Sequence, residues 1–301
     1  MTRISHILSS SQFLEPAFVD EIIELARAYK AEPLRKKPLT GMRVATLFYE
    51  PSTRTRLSFE SAAVALGADV VSTESAGVYS SAAKGETLED TIRTVQGYVD
   101  AIVLRYYEKG GAERAAAVSG VPIINAGDGP GEHPTQALLD LFTIRELKQD
   151  VDSLKIGLVG DLKNGRTVHS LAGLLGSLHP AMRIVGVAPQ SLQLQSGYAP
   201  HGLQRATYLE DVIGDLDIIY MTRIQKERFS SPEEYESLKD SFILDGNLMK
   251  RAKASAIVMH PLPRVGEIAA EVDDDTRAIY FQQAHNGLFV RMALLEHVLT
   301  H

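Results

Sequence analysis

The stretch "RVATLFYEPSTRTRLSFE", residues 43–60, decides the fold. Its first six residues are a short apolar run that predicts a buried strand, and Phe59 belongs to a helical pattern that begins after Ser52. A strand that leads directly into a helix is the repeating unit of α/β proteins with parallel sheets. The stretch therefore predicts the first such unit of this chain.

Short apolar runs alternate with helical patterns along the rest of the chain. The length of 301 residues fits two domains of about 150 residues or one large α/β domain. Helices are predicted at 15–30, at 133–149 as a link between two domains, and at 286–300, which should pack back on the first domain. Further strands are predicted at 68–73, 100–105, 121–126, 155–160, 183–188, 216–221, 256–260 and 277–281.

The composition excludes several classes of function. The net charge is −7 without a long run of either sign, so we expect no nucleic-acid or membrane partner. The chain has no cysteine, and its nine histidines form no HExxH motif, so we predict no metal. We also predict no cofactor. No apolar run reaches 18 residues and "MTRISHILSSSQF" lacks the apolar core of a signal peptide, which predicts a cytoplasmic protein.

Two arginines, Arg54 and Arg56, lie where the helix after Ser52 should begin. Cations are disfavoured at a helix N-terminus, by roughly 0.3–1 kcal/mol each. A bound phosphate reverses that preference, because the free N–H groups of Thr53 to Thr55 and one guanidinium fork would then converge on it. The alternative is an ordinary capped surface helix with two solvated arginines.

Polar clusters follow the predicted strands at their carboxyl ends, where open α/β sheets bind ligands. They are "PSTRTR", Arg105, "GDGPGEHPTQ", "GDLKNGRTVHS", "TRIQKER" and "HPLPR". Their position at strand-to-helix turns predicts that side chains from different units converge on an active site.

Individual residues in and near these clusters each have a functional and a structural interpretation. His133 at a helix entrance suits a neutral hydrogen-bond donor, or it merely caps the helix. Lys84, in a loop of small residues, is either on a flap over substrate or simply exposed. Arg166, Arg223 and Gln225 suit carboxylates, or they are surface residues. The spacing of Gly157, Gly160 and Gly165 departs from G-x-G-x-x-G, which argues against a dinucleotide.

Six motifs, spread in order along nearly the whole chain, make the sequence resemble the catalytic chains of the aspartate carbamoyltransferase family. The motifs are "FYEPSTRTRLSFE", "KGETLEDT", "GDGPGEHPTQALLDLFTI", "VGDLKNGRTVHSL", "MTRIQKER" and "HPLPRVGEI". The resemblance implies two doubly wound parallel-sheet domains linked by crossing helices. These would be a carbamoyl-phosphate-binding domain at 1–132 joined by the C-terminal helix 286–301, an interdomain helix at 133–149, and an aspartate-binding domain at 150–285.

The resemblance also implies the roles of single residues. Carbamoyl phosphate would be bound by Ser52, Thr53, Arg54, Thr55, Arg105, His133, Gln136 and the main-chain carbonyls of Pro261 and Leu262, and L-aspartate by Lys84, Arg166, Arg223 and Gln225. Ser80 and Lys84 would come from a neighbouring subunit, so the active unit would be a homotrimer. The residues implied to be catalytic are Arg105, His133, Thr55, Arg54 and Lys84.

The implied reaction is acyl transfer from carbamoyl phosphate to aspartate, in de novo pyrimidine biosynthesis. One rival is another carbamoyltransferase, above all the ornithine enzyme, although that relative has "HCLP" where this chain has "HPLP". The other rival is a catalytically silent homologue. The sequence leaves open whether regulatory chains or a dihydroorotase bind this subunit.

Overall fold

The chain divides into two compact units, described here from a computed structural model. The first comprises Met1–Phe142 with His285–His301, and the second Thr143–Ala284. The structure describes residues 6–32, 37–76, 84–129, 131–225, 231–238 and 242–300. The predicted site residue Ser80 lies outside the described residues.

The first unit contains a four-stranded sheet with the order β2-β1-β3-β4, in which all neighbours are parallel. One face of this sheet packs against the helices at Leu88–Val95 and Gly111–Val118. The buried cluster between them includes Leu47, Leu104, Ile92 and Ala115. The strands are β1 (Arg43–Phe48), β2 (Asp69–Glu74), β3 (Ala101–Tyr106) and β4 (Ile123–Asp128). The helices are α1 (Pro16–Ala31), α2 (Thr53–Ala65), α3 (Leu88–Val95) and α4 (Gly111–Val118).

The second unit contains a five-stranded sheet with the order β7-β6-β5-β8-β9, again with parallel neighbours throughout. Its strands are β5 (Lys155–Val159), β6 (Arg183–Val187), β7 (Gln204–Ala206), β8 (Ile218–Met221) and β9 (Ile257–Met259). Its helices are α6 (Arg166–Leu178), α7 (Pro232–Leu238) and α8 (Gly246–Arg251). Two further helices, α5 (Pro134–Leu147) and α9 (Tyr280–Thr300), each contain residues of both units.

These two sheets confirm the predicted fold class of two parallel α/β domains. The predicted strand at 277–281 is wrong, because only an isolated bridge joins Ala278 to Val258 and α9 begins at Tyr280. A short apolar run is compatible with a buried helix end as well as with a strand, so periodicity alone does not separate them. Strand β7 was not predicted, since its three residues, Gln204–Ala206, show no apolar alternation.

No helix among the described residues combines the length and apolar character needed to span a membrane. Within the same part of the chain, His, Asp and Glu side chains form no group of three or more that could hold a metal ion.

Candidate active site

The carboxyl ends of β1, β3 and β4 meet at one edge of the first sheet. Phe48 pairs in register with Arg105, and Tyr106 pairs with Asp128. The loop after β1 is joined to β3 where the Tyr49 N–H donates to the Arg105 carbonyl at 2.9 Å. This topology brings the predicted residues Ser52, Arg105 and His133 to the same edge of the first unit.

Helix α2 presents an open N-terminus at this edge. Ser52 is the N-cap residue, and its hydroxyl makes no capping hydrogen bond. The first backbone bond of the helix runs from Arg56 N–H to the Ser52 carbonyl at 3.0 Å. The N–H groups of Thr53 to Thr55 precede that bond and are available to an anion.

The two arginines of this helix differ in their partners. Arg56 donates to Glu60 Oε1 and to Glu74 Oε2, each at 3.1 Å. Arg54 is exposed and, among the residues that the structure describes, has no carboxylate partner. The alternative that Arg56 forms the phosphate fork is therefore disfavoured, and Arg54 is the guanidinium left for a ligand.

Arg105 is buried at the end of β3. Its Nη1 donates to the Ala126 carbonyl at 3.1 Å, and its Nη2 lies 3.5 Å from Glu50 Oε2. These bonds to β4 and to the loop after β1 fix the guanidinium at the sheet edge. A positively charged group held in place in this way can stabilise negative charge without reorganising.

His133 lies immediately before α5. Its carbonyl accepts hydrogen bonds from Gln136 N–H at 3.0 Å and Ala137 N–H at 3.3 Å, and Pro134 occupies the first helical position. The side chain is buried. Because the positive end of a helix dipole disfavours a second positive charge, a neutral ring stays our prediction for His133.

Lys84 lies three residues before the N-cap of α3, Thr87, and is exposed. No described carboxylate forms an ion pair with it. Residues 77–83, which precede Lys84, are outside the described part of the chain.

In the second unit, the loops after β5 and β8 approach each other closely. Gly160 follows β5 with φ +114°, and a Cβ atom built on it would lie 2.3 Å from the Thr222 carbonyl oxygen. Only glycine fits there without displacing that backbone. Of the predicted aspartate-binding residues, Arg223 and Gln225 belong to the loop after β8, and Arg166 is the first residue of α6, directly after the loop that follows β5.

Asp161 occupies the turn that leads to Arg166. Its carboxylate is buried and accepts hydrogen bonds from Asn164 N–H at 3.1 Å and Asn164 Nδ2 at 3.0 Å. Burial raises the pKa of Asp161, while these bonds oppose the increase. The Gln225 N–H lies 3.5 Å from the other carboxylate oxygen, so Asp161 connects the loop after β5 to the loop after β8.

The loop after β9 contains Pro261 and Leu262. Leu262 has φ +56°, a conformation that costs a non-glycine residue roughly 1–2 kcal/mol. Its N–H donates to His260 Nδ1 at 2.7 Å, which places the ring proton on Nε2, 2.6 Å from Glu267 Oε1. The second Glu267 oxygen accepts from Val265 N–H and Gly266 N–H, each at 3.0 Å. These bonds hold the loop in its strained conformation.

The sequence matches two family models that together cover most of the chain. The carbamoyl-P binding domain of aspartate/ornithine carbamoyltransferase matches residues 5–146, and its Asp/Orn binding domain matches residues 152–298. The chain belongs to the aspartate/ornithine carbamoyltransferase family. This membership confirms the resemblance found in the sequence.

Three relatives illustrate how similar this family member is to known proteins. The aspartate carbamoyltransferase catalytic subunit of Clostridium novyi is 50% identical, over 96% of this chain and 95% of its own length. The chloroplastic aspartate carbamoyltransferase 3 of Pisum sativum is 48% identical, over 99% of this chain and 78% of its own length. The Trypanosoma cruzi aspartate transcarbamoylase structure with carbamoyl phosphate and aspartate has a TM-score of 0.90 and 40% identity, and the match covers 97% of this chain and 96% of that one.

Sequence reasoning missed four acids around the predicted site of this carbamoyltransferase. Glu50, Asp140, Asp161 and Glu267 touch predicted site residues or their loops, yet none was singled out. For Asp140 a signal existed, since it is the single charge in the apolar stretch "ALLDLF". A lone charge inside an apolar helix indicates a buried partner.

Proposed function

We propose that the chain transfers the carbamoyl group of carbamoyl phosphate to the α-amine of L-aspartate, giving N-carbamoyl-L-aspartate and phosphate. The observation that carries this proposal is the open N-terminus of α2, which lies at the same sheet edge as Arg105 and His133. Arg54 in this helix turn has no described carboxylate partner. Membership of the carbamoyltransferase family supports it. The step belongs to de novo pyrimidine biosynthesis.

Carbamoyl phosphate is bound mainly by residues of the first unit. The N–H groups and side chains at the start of α2 hold its phosphate, with Arg54 as the fork. Arg105, His133 and Thr55 donate to its carbonyl oxygen, while Gln136 and the carbonyls of Pro261 and Leu262 accept from its amide. The group of binding residues is Ser52, Thr53, Arg54, Thr55, Arg105, His133, Gln136, Pro261 and Leu262.

L-Aspartate is bound through its two carboxylates. Arg166, at the start of α6, and Arg223 supply guanidinium forks, and Gln225 supplies an amide. The loops after β5 and β8, which precede Arg166 and contain Arg223 and Gln225, lie side by side in the second unit. Lys84 completes the site, together with Ser80, from a neighbouring subunit of a homotrimer. The exposure of Lys84 on the single chain is compatible with that role.

The reaction needs no nucleophilic side chain. The neutral amine attacks the carbamoyl carbon, a tetrahedral oxyanion forms, and phosphate leaves and can take the amine proton. Arg105, His133 and Thr55 stabilise the developing negative charge, and the loss of one such donor typically costs about 10²–10³ in rate. Holding two substrates in attack geometry contributes roughly 7–11 kcal/mol, which gives the purely binding residues their importance.

Turnover by the purified chain tests this function. Carbamoyl phosphate is mixed with L-aspartate or with L-ornithine, and the carbamoylated product is quantified. We expect carbamoyl aspartate, and we expect Arg223→Ala to raise the KM for aspartate about 10- to 100-fold through loss of a charge-assisted hydrogen bond. Preference for ornithine, or no turnover with either amine, would overturn the proposal.

Location and assembly are separate proposals. We place the chain in the cytoplasm, although the Pisum sativum relative is named as chloroplastic. Cell fractionation tests the location, and sedimentation of the purified chain tests the homotrimer.

A further inference from the structure

Three polar side chains lie buried together in the interior of the first unit. Gln136 and Asp140 lie on α5, and Arg291 lies on α9. Their exposed fractions are 9%, 0% and 3%. Burying an amide, a carboxylate and a guanidinium is unfavourable unless each has a compensating partner. Their burial therefore needs a physical reason.

Asp140 determines which end of the Gln136 amide faces Asp140 and which end points away from it. Gln136 Nε2 lies 2.8 Å from Asp140 Oδ1, one helical turn along α5. An ionised carboxylate can only accept hydrogen bonds, so the NH₂ end of the amide must face it. Gln136 Oε1 is consequently directed away from Asp140 and remains available as an acceptor.

Arg291 favours the ionised form of Asp140. Burial lowers the pKa of Arg291 to about 10, and the negative charge of Asp140 opposes that decrease, so the guanidinium is charged at neutral pH. A buried cation in turn stabilises a nearby carboxylate in its charged form.

The surrounding helices are shaped to accommodate this guanidinium. A Cβ atom built on Gly287, one turn earlier in α9, would lie 2.2 Å from Arg291 Nη1, so a larger residue at position 287 would displace the guanidinium from its observed position. Arg291 Cζ also lies 5.1 Å from the ring centroid of Phe59 on α2.

We infer that Asp140 and Arg291 are positioning residues that lock the Gln136 amide with its oxygen toward the ligand, so that the site selects a carbamoyl NH₂ group over a methyl group. This inference rests on the proposed function, in which Gln136 accepts from the amide of carbamoyl phosphate. A methyl group in place of the NH₂ leaves Gln136 Oε1 unpaired. We expect this to weaken binding about tenfold or more.

Two stable phosphonates test the selection directly. Phosphonoacetamide carries an NH₂ group where acetonylphosphonate carries a methyl group, and inorganic phosphate has neither. Dissociation constants for all three are measured calorimetrically for the wild type and for Asp140→Asn. The Asn amide can donate to Gln136 Oε1 and thereby lets Gln136 turn its NH₂ outward. We expect the preference for phosphonoacetamide to fall about tenfold while phosphate binding is unchanged.

Variants of Arg291 keep the test informative if Asp140→Asn folds poorly. Arg291→Met removes the cation that keeps Asp140 ionised and should also reduce the preference, whereas Arg291→Lys retains the charge and should restore it. Thr46→Val is a matched control for the loss of a buried polar group. Its hydroxyl bonds Glu60 Oε1 at 2.9 Å and Ser72 Oγ at 3.0 Å, so the variant should lower stability without changing the preference.

The outcomes separate this inference from the proposed function. Equal affinity of the wild type for the two phosphonates, or variants that lower stability but keep the preference, would overturn the inference alone. Failure of the wild type to form carbamoyl aspartate would overturn the proposed function. A fall in preference in Asp140→Asn or Arg291→Met, reversed in Arg291→Lys, supports the positioning role.

Discussion

The N-terminal turn of α2 and the loop of residues 260–267 differ in how far their polar groups have partners within the described chain. At α2, Arg54 is exposed without a described carboxylate partner, and the N–H groups of Thr53 to Thr55 precede the first helical bond. In the loop, both oxygens of Glu267 and both ring nitrogens of His260 are engaged within 3.0 Å. Under the proposed function, a bound phosphate satisfies the groups at the start of α2, whereas the protein itself satisfies the groups that shape the backbone of the loop.

The largest effect should follow from Arg54→Ala. We expect kcat/KM to fall about 10³-fold, because a charge-assisted bidentate donor is lost from the phosphate of the transition state. The free energy of unfolding should change by no more than about 0.5 kcal/mol, since the side chain removed is exposed and forms no ion pair with the described residues. Steady-state kinetics and urea unfolding measure the two quantities. Activity within tenfold of the wild type would show that Arg54 does not bind phosphate.

Glu267, in the loop of residues 260–267, should instead affect the stability of the folded state and the dependence of that stability on pH. Burial alone would raise the pKa of Glu267, but the hydrogen bond from His260 and the backbone donors lower it to about 2. An unfolded glutamate has a pKa of about 4.3. The folded state is therefore stabilised by about 3 kcal/mol above pH ~4.3, and this contribution is lost as the pH falls toward about 2.

Urea unfolding between pH 7 and pH 3 tests this contribution. We expect Glu267→Gln to be about 2–3 kcal/mol less stable at pH 7 and to lose less stability on acidification than the wild type does. Glu271→Gln is the control, because that exposed glutamate accepts one hydrogen bond, from Gly246 N–H at 2.7 Å. An acid dependence of Glu267→Gln that matches the wild type would contradict the role of the charged carboxylate.

The fold was predictable from sequence wherever one physical signal dominated. Strands such as β1 and β3 are short, mostly apolar runs followed by a polar turn, and both lie within one residue of the predicted bounds. The run at 277–281 satisfies the same criterion although α9 begins at Tyr280, because burial of an apolar residue is equally compatible with a strand and a helix.

For the candidate site, the sequence alone singled out only residues that are proposed to contact the ligand. Arg54 is unusual in sequence because a cation is disfavoured at a helix N-terminus, and Arg105 is unusual because it is a charge near the end of an apolar strand. The acids Asp140, Asp161 and Glu267 are common residue types, and their importance comes from burial and from partners such as Gln136, Gln225 and His260. Such partnerships depend on tertiary structure, so no local pattern reveals them.

The smallest effect should come from Arg56→Ala, in the same helix turn as Arg54. Arg56 is a neighbour of Arg54 on the same turn, but its guanidinium is held by Glu60 and Glu74 at 3.1 Å each. A partly exposed ion pair contributes about 0–1 kcal/mol, so we expect a loss of about 1 kcal/mol in the free energy of unfolding and a fall in kcat/KM of less than tenfold. If kinetics showed a loss as large as that of Arg54→Ala, carboxylate pairing would not distinguish structural from ligand-binding arginines in this helix.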